Sequence, residues 1–84
     1  MPFTYKSGEQ IRAGDLVQLH GKPGKIEFVV EGEQEDPAMN WYFTEFGGGI
    51  MISDTPEFGS LFIAADQIEH AEYDFDNLKF VSRA

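Results

Sequence analysis

The segment at residues 14–30, GDLVQLHGKPGKIEFVV, limits what this chain can fold into more than any other. Val17 and Leu19 alternate with Leu16 and Gln18. Further on, Ile26, Phe28 and Val30 alternate with Lys25, Glu27 and Val29. A period of two is the pattern of a strand with one buried face. Between the two runs, His20, Gly21, Lys22, Pro23 and Gly24 form a cluster of chain breakers that reverses direction. Two antiparallel strands around a tight turn are expected, and the remaining segments must fit around them.

Those segments are short and punctuated. Phe3 and Tyr5 alternate with Thr4 and Lys6, compatible with an opening strand, and residues 7–10 turn the chain towards Ile11. Residues 31–40, EGEQEDPAMN, read as a long solvated acidic loop. Residues 41–46, WYFTEF, read as a strand with Trp41, Phe43 and Glu45 on one face and Tyr42, Thr44 and Phe46 on the other. Trp41 and Phe43 are expected in the core, which leaves Tyr42 and Phe46 either against loops or in an exposed contact patch. The glycines at 47–49 lack the strand-GxxxxGK[ST]-helix setting of a phosphate loop and read as a turn or bulge between strands. Residues 50–53 and 60–63 are two further strands around a hairpin loop at 54–59. Residues 64–73 hold the one helical spacing, Ala64, Ile68, Ala71 and Phe75, although a single turn followed by extended chain fits them too. A turn at 74–77 and a closing strand at 78–81, with Leu78 and Phe80 inward, complete the chain.

Short strands at regular spacing predict a mainly β fold: a small five- to six-stranded antiparallel barrel or rolled sheet with at most one short helix or helical turn. The 84 residues make one domain over 1–84. A chain of this size buries only about 60% of its unfolded surface. Its eight Phe, three Tyr and one Trp must therefore supply much of the core. Cysteine is absent, so neither disulfides nor thiolate metal sites are available. The first twenty residues lack a signal-peptide pattern and no apolar run approaches a membrane span, so the expected setting is soluble and cytoplasmic.

Charge order says more than charge total. The formal net charge of −9 combines fifteen acids with six bases. Lys6, Arg12, Lys22 and Lys25 precede Ile26, and Lys79 and Arg83 follow Leu78. Between them stand Glu27, Glu31, Glu33, Glu35, Asp36, Glu45, Asp54, Glu57, Asp66, Glu69, Glu72, Asp74 and Asp76, with no Lys or Arg. A nearly unbroken negative belt is expected. Nucleic-acid backbones are bound chiefly through Lys and Arg, so direct nucleic-acid binding is disfavoured.

Catalysis finds little support in the residues. Ser7, Ser53, Ser60 and Ser82 sit in no nucleophile motif, and a nucleophile needs a converging base and orienter. His20 lies in the turn and His70 follows Glu69 on the candidate helix, both read as surface side chains. Asp74, Asp76 and Asn77, and the acids at 31–36, lack the spaced calcium-loop pattern that ends in Glu. No catalytic residue, dedicated metal site or cofactor is expected.

Gly14-Asp15-Leu16-Val17 followed by Gly24-Lys25-Ile26 resembles the KOW-type opening of small Src-homology-like barrels. The resemblance covers about a fifth of the chain and implies binding of RNA, ribosomes or proteins. The absence of bases from Ile26 to Leu78 departs from the RNA-binding members. By size and charge alone, the chain is also similar to small bacterial immunity proteins. The expected function is a non-enzymatic module that docks a basic, toxin-like protein, such as a nuclease, and neutralises it. Glu31, Glu33, Glu35 and Asp36 would steer the partner, and Tyr42, Phe46 and Phe58 would anchor it. The alternatives are RNA or ribosome contact through Lys6, Arg12, Lys22 and Lys25, and a structural domain that pairs with a second copy of itself. Monomer and homodimer both remain open.

Overall fold

Leu16–Leu19 (β1) and Lys22–Val30 (β2) pair antiparallel in a computed structural model that describes residues 3–55 and 59–83. The register runs from Leu16 opposite Lys25 to Leu19 opposite Lys22, so the hairpin expected at 14–30 is present. Its turn is tighter than the breaker cluster implied. His20 and Gly21 alone reverse the chain, both at positive φ (52° and 79°), as two-residue hairpins require. Pro23 and Gly24 lie within β2.

Gly49–Thr55 (β3), Gly59–Ala64 (β4) and Leu78–Ser82 (β5) complete one antiparallel sheet in the order β4-β3-β2-β1-β5. Five strands agree with the expected number. Among the described residues the sheet is open, with β4 and β5 as its edges. Thr4 and Gln10 form an isolated bridge, and among the described residues the N-terminal segment adds no strand to the sheet. Among the described residues three helices join the strands: Pro37–Phe46 (α1), Ala65–Glu69 (α2) and Tyr73–Asp76 (α3).

These helices correct the expectation of at most one, and α1 replaces the predicted strand at 41–46. The acidic loop correspondingly shortens to residues 31–36. The reason lies in the ends of α1. Asp36 is its N-cap, accepting the Ala38 N–H at 3.0 Å, and Pro37 opens the first turn where a missing N–H costs nothing. Gly47 closes it in the left-handed region, φ 72°, with its N–H on the Phe43 carbonyl. Met39, Tyr42, Phe43 and Phe46 fall at i, i+3, i+4 and i+7, one helical stripe. The three glycines thus join a helix to a strand rather than two strands. A Cβ at Gly48 would lie 2.2 Å from the Val30 carbonyl oxygen, so the close approach of the two chains there demands glycine. The predicted helix at 64–73 is interrupted at Ala71, whose φ of 48° divides it into α2 and a separate turn of helix in α3.

The core lies on one face of the sheet. Val17, Leu19, Ile26, Ile50, Ile52, Ile63 and Leu78 meet Tyr5, Ile11 and Phe75 there. A bulge in β2 decides which residues reach it. Ile26 stands opposite Ile52, but Phe28 stands opposite Met51, so Glu27 is an extra residue and the strand turns over. Phe28 leaves the face shared with Ile26, contrary to the simple alternation of the sequence. It joins Met51 and Phe62, paired across β3 and β4, on the opposite face.

A buried carboxylate ties both ends of the chain to the hairpin. Asp15 is 1% exposed. It accepts the Tyr5 hydroxyl at 2.7 Å, the Arg12 N–H at 3.0 Å and the Arg83 guanidinium at 3.0 Å. Arg83 also donates to the Gln10 carbonyl and lies over the Phe80 ring. Removing the carboxylate orphans three donors. Asp15→Ala is expected to cost about 3 kcal/mol in urea unfolding. Burial, and then the bond to Asp15, raise the pKa of Tyr5 above its ordinary value of 10.0. Above that pH the unfolded chain gives up this proton while the folded chain keeps it, so stability falls as pH rises. Tyr5→Phe is expected to flatten that alkaline decline in thermal melts between pH 9 and about 11.

Candidate functional site

Once β2 has turned Phe28 outward, Phe28, Met51 and Phe62 form an apolar face that needs cover. α1 supplies it. Tyr42 meets Phe28 and Phe62 at ring-centroid distances of 5.1 and 4.8 Å, and Phe46 meets Phe62 at 5.3 Å. Trp41 stands edge-on to Tyr42 and Phe46, at 5.1 and 5.5 Å. The cover is incomplete, because no residue of α1 is fully buried. Trp41 is 51% exposed and Phe46 43%. Large aromatics left in water beside one another mark a contact surface more often than isolated exposed apolar residues do.

Tyr42 and Phe46, expected as anchors, are therefore brought into one cluster, with Tyr42 half-buried and Phe46 at the surface. Trp41 and Phe43 were expected in the core. The helix instead carries Trp41 to the surface and leaves Phe43 half-buried. Phe58 lies outside the described residues. The signal for Trp41 was present in the chain: Asp36-Pro37 before the aromatic run and Gly47 after it specify a helix, and Trp41 lies off its apolar stripe.

The four acids named for steering do not share one role. Asp36 caps α1, and Glu31 accepts the Phe3 N–H at 2.7 Å. Asn40 accepts the Gln34 N–H at 2.9 Å, which fixes the loop against the first turn of α1. Glu33 and Glu35 are exposed on that loop, and Glu45 is exposed on α1. Among the described residues, none of these three has a Lys, Arg or His within ion-pair distance.

The acids that follow β4 lie on α2, α3 and the turn between them. Asp66, Glu69 and Glu72 are exposed on α2 and the turn after it, where Ile68 packs against the core. Asp76 is paired with Lys6, and Asp74 with His20 Nε2 at 2.8 Å. His20 is thus no free surface imidazole. It fastens the hairpin turn to α3 and rests against the Tyr73 ring at 4.8 Å. His70 Nδ1 lies 2.8 Å from the Asp66 carbonyl oxygen. Among the described residues, no three of His, Asp and Glu converge on a common point.

Trp41 is the sole tryptophan, so its fluorescence reports on this surface alone. The ratio of caesium to iodide quenching should exceed that of free N-acetyltryptophanamide, because the carboxylates of this acidic chain concentrate cations and repel anions. Glu33→Gln/Glu35→Gln/Glu45→Gln should bring the two ratios together. Comparison of the chain with family models, with curated proteins and with solved structures found no significant match.

Proposed function

We propose that this protein is a non-enzymatic binding module that docks a basic protein on the outer surface of α1. In its most concrete form it acts as an immunity or inhibitor protein, covering a cationic toxin such as a nuclease. One observation carries this reading: Trp41 and Phe46 stand partly in water within an aromatic cluster on α1, while Glu45 on that helix and Glu33 and Glu35 on the loop leading into it are exposed and have no basic partners among the described residues. Carboxylates at the rim raise the encounter rate with a cationic surface and reject anionic ones. Aromatics at the centre supply short-range energy once water is expelled. The five-stranded sheet holds the cluster on a rigid base, as a small rolled or barrel-like scaffold would.

The two roles separate kinetically. With a basic protein retained from a lysate of the protein's own cells, Glu33→Gln/Glu35→Gln should slow association about threefold or more at low salt and change dissociation little. Phe46→Ala should chiefly speed dissociation. Biosensor traces at rising salt read both. Association insensitive to salt and to both variants would refute the reading. Retention of RNA that is lost on Lys22→Glu/Lys25→Glu would place the KOW-like alternative ahead. A stable dimer in light scattering would favour self-association.

A further inference from the structure

We infer that Trp41 and Glu45 together form an anchor for an arginine side chain, an inference that rests on the docking surface proposed above and names the chemistry of what it takes. Residues at i and i+4 of a helix are neighbours on one face. Trp41 and Glu45 are so placed on α1, and both are exposed. Ala38, one turn before Trp41, is too small to cover the indole. The rings of Tyr42 and Phe46 meet that of Trp41 at interplanar angles of 84° and 78°. Both contacts are edge-to-face, neither ring is stacked flat upon the indole, and Trp41 stays 51% exposed.

An exposed indole face beside an acceptor carboxylate is a site for a planar cation. The indole attracts a cation over its ring, tryptophan being the best of the aromatic side chains at this. Among the described residues the cation–π contact present is Arg83 over Phe80, at the far end of the chain from α1, and none of them places a cation on Trp41. A guanidinium lying on the indole still directs N–H groups sideways, where Glu45 can accept them. An ammonium group is compact and strongly hydrated, and gains less from the ring. The acids around α1 attract either cation, and the Trp41–Glu45 pair distinguishes them.

The probes are fluorescein-labelled hexaarginine and hexalysine, equal in charge, followed by anisotropy at low ionic strength. Both should bind, hexaarginine about threefold or more tightly. Trp41→Leu and Glu45→Gln should each remove most of that preference, chiefly by weakening hexaarginine. Trp41→Phe should retain part of it. Both sites are exposed, and Glu45→Gln leaves helix packing untouched, so a loss of preference in that variant is not a folding defect. Equal affinities in the wild type, tighter hexalysine binding, or a preference that survives both Trp41→Leu and Glu45→Gln would overturn the arginine anchor while leaving the acidic docking surface standing. Failure of both peptides to bind would overturn the anchor and the docking surface together.

Discussion

One extra residue in β2 shapes the molecule. Without it, Ile26, Phe28 and Val30 would share a face, and the sheet would carry one apolar side and one polar side. With Glu27 bulged out, Ile26 and Val29 stand opposite Ile52 and Ile50, while Phe28 stands opposite Met51. The sheet becomes apolar on both sides over its central strands. One side is filled by the N-terminal segment and α3, through Tyr5, Ile11 and Phe75. The other is given to a ten-residue helix, too narrow to bury the aromatics it brings. The exposed cluster on α1 follows from that mismatch.

The disposition of bases sharpens the contrast between the two sides. Arg83 is committed to Asp15 and Lys6 to Asp76. Both contacts lie among the chain ends, β1 and α3. Lys22 and Lys25 are exposed on the hairpin. The segment from the bulge to α3 holds no Lys or Arg, and among the described residues Glu33, Glu35 and Glu45 take no ion-pair partner from elsewhere in the chain. A buried, paired carboxylate organises the fold, and solvated, unpaired ones define its outer surface. The same residue type serves opposite ends because burial decides whether a charge must find a partner.

What the residues reveal in advance depends on how local the cause is. The β1–β2 hairpin was legible because its turn chemistry and its alternation lie within a few positions of each other. β3, β4 and β5 were legible for the same reason, to within a residue or two at their ends. The helix at α1 was misread because WYFTEF is rich in residues that favour strands, and that preference yields to context. Its cap residues, Asp36, Pro37 and Gly47, carried the correct answer. The bulge at Glu27 has no local mark at all, since it is set by how β3 fits against β2. Asp15 could not be recognised as buried from the Gly-Asp pair, because the guanidinium that neutralises it stands 68 positions away. The anchors Tyr42 and Phe46 were named for their aromatic character. Trp41 was sent to the core for that same character, and only the helical path brings it to the surface.

The position of β5 has a consequence for how the chain is made. β1 lies between β2 and β5, and its second neighbour, Leu19 against Leu78, comes from far downstream. During vectorial synthesis β1 to β4 can zip together while the outer side of β1 still shows bare N–H and C=O groups, a template on which a neighbouring nascent chain could nucleate. Asp15 faces the same wait, since Arg83 arrives with the strand that closes that side. A single late docking event therefore removes a sticky border and discharges an interior carboxylate, which gives the last stage of folding the character of a latch.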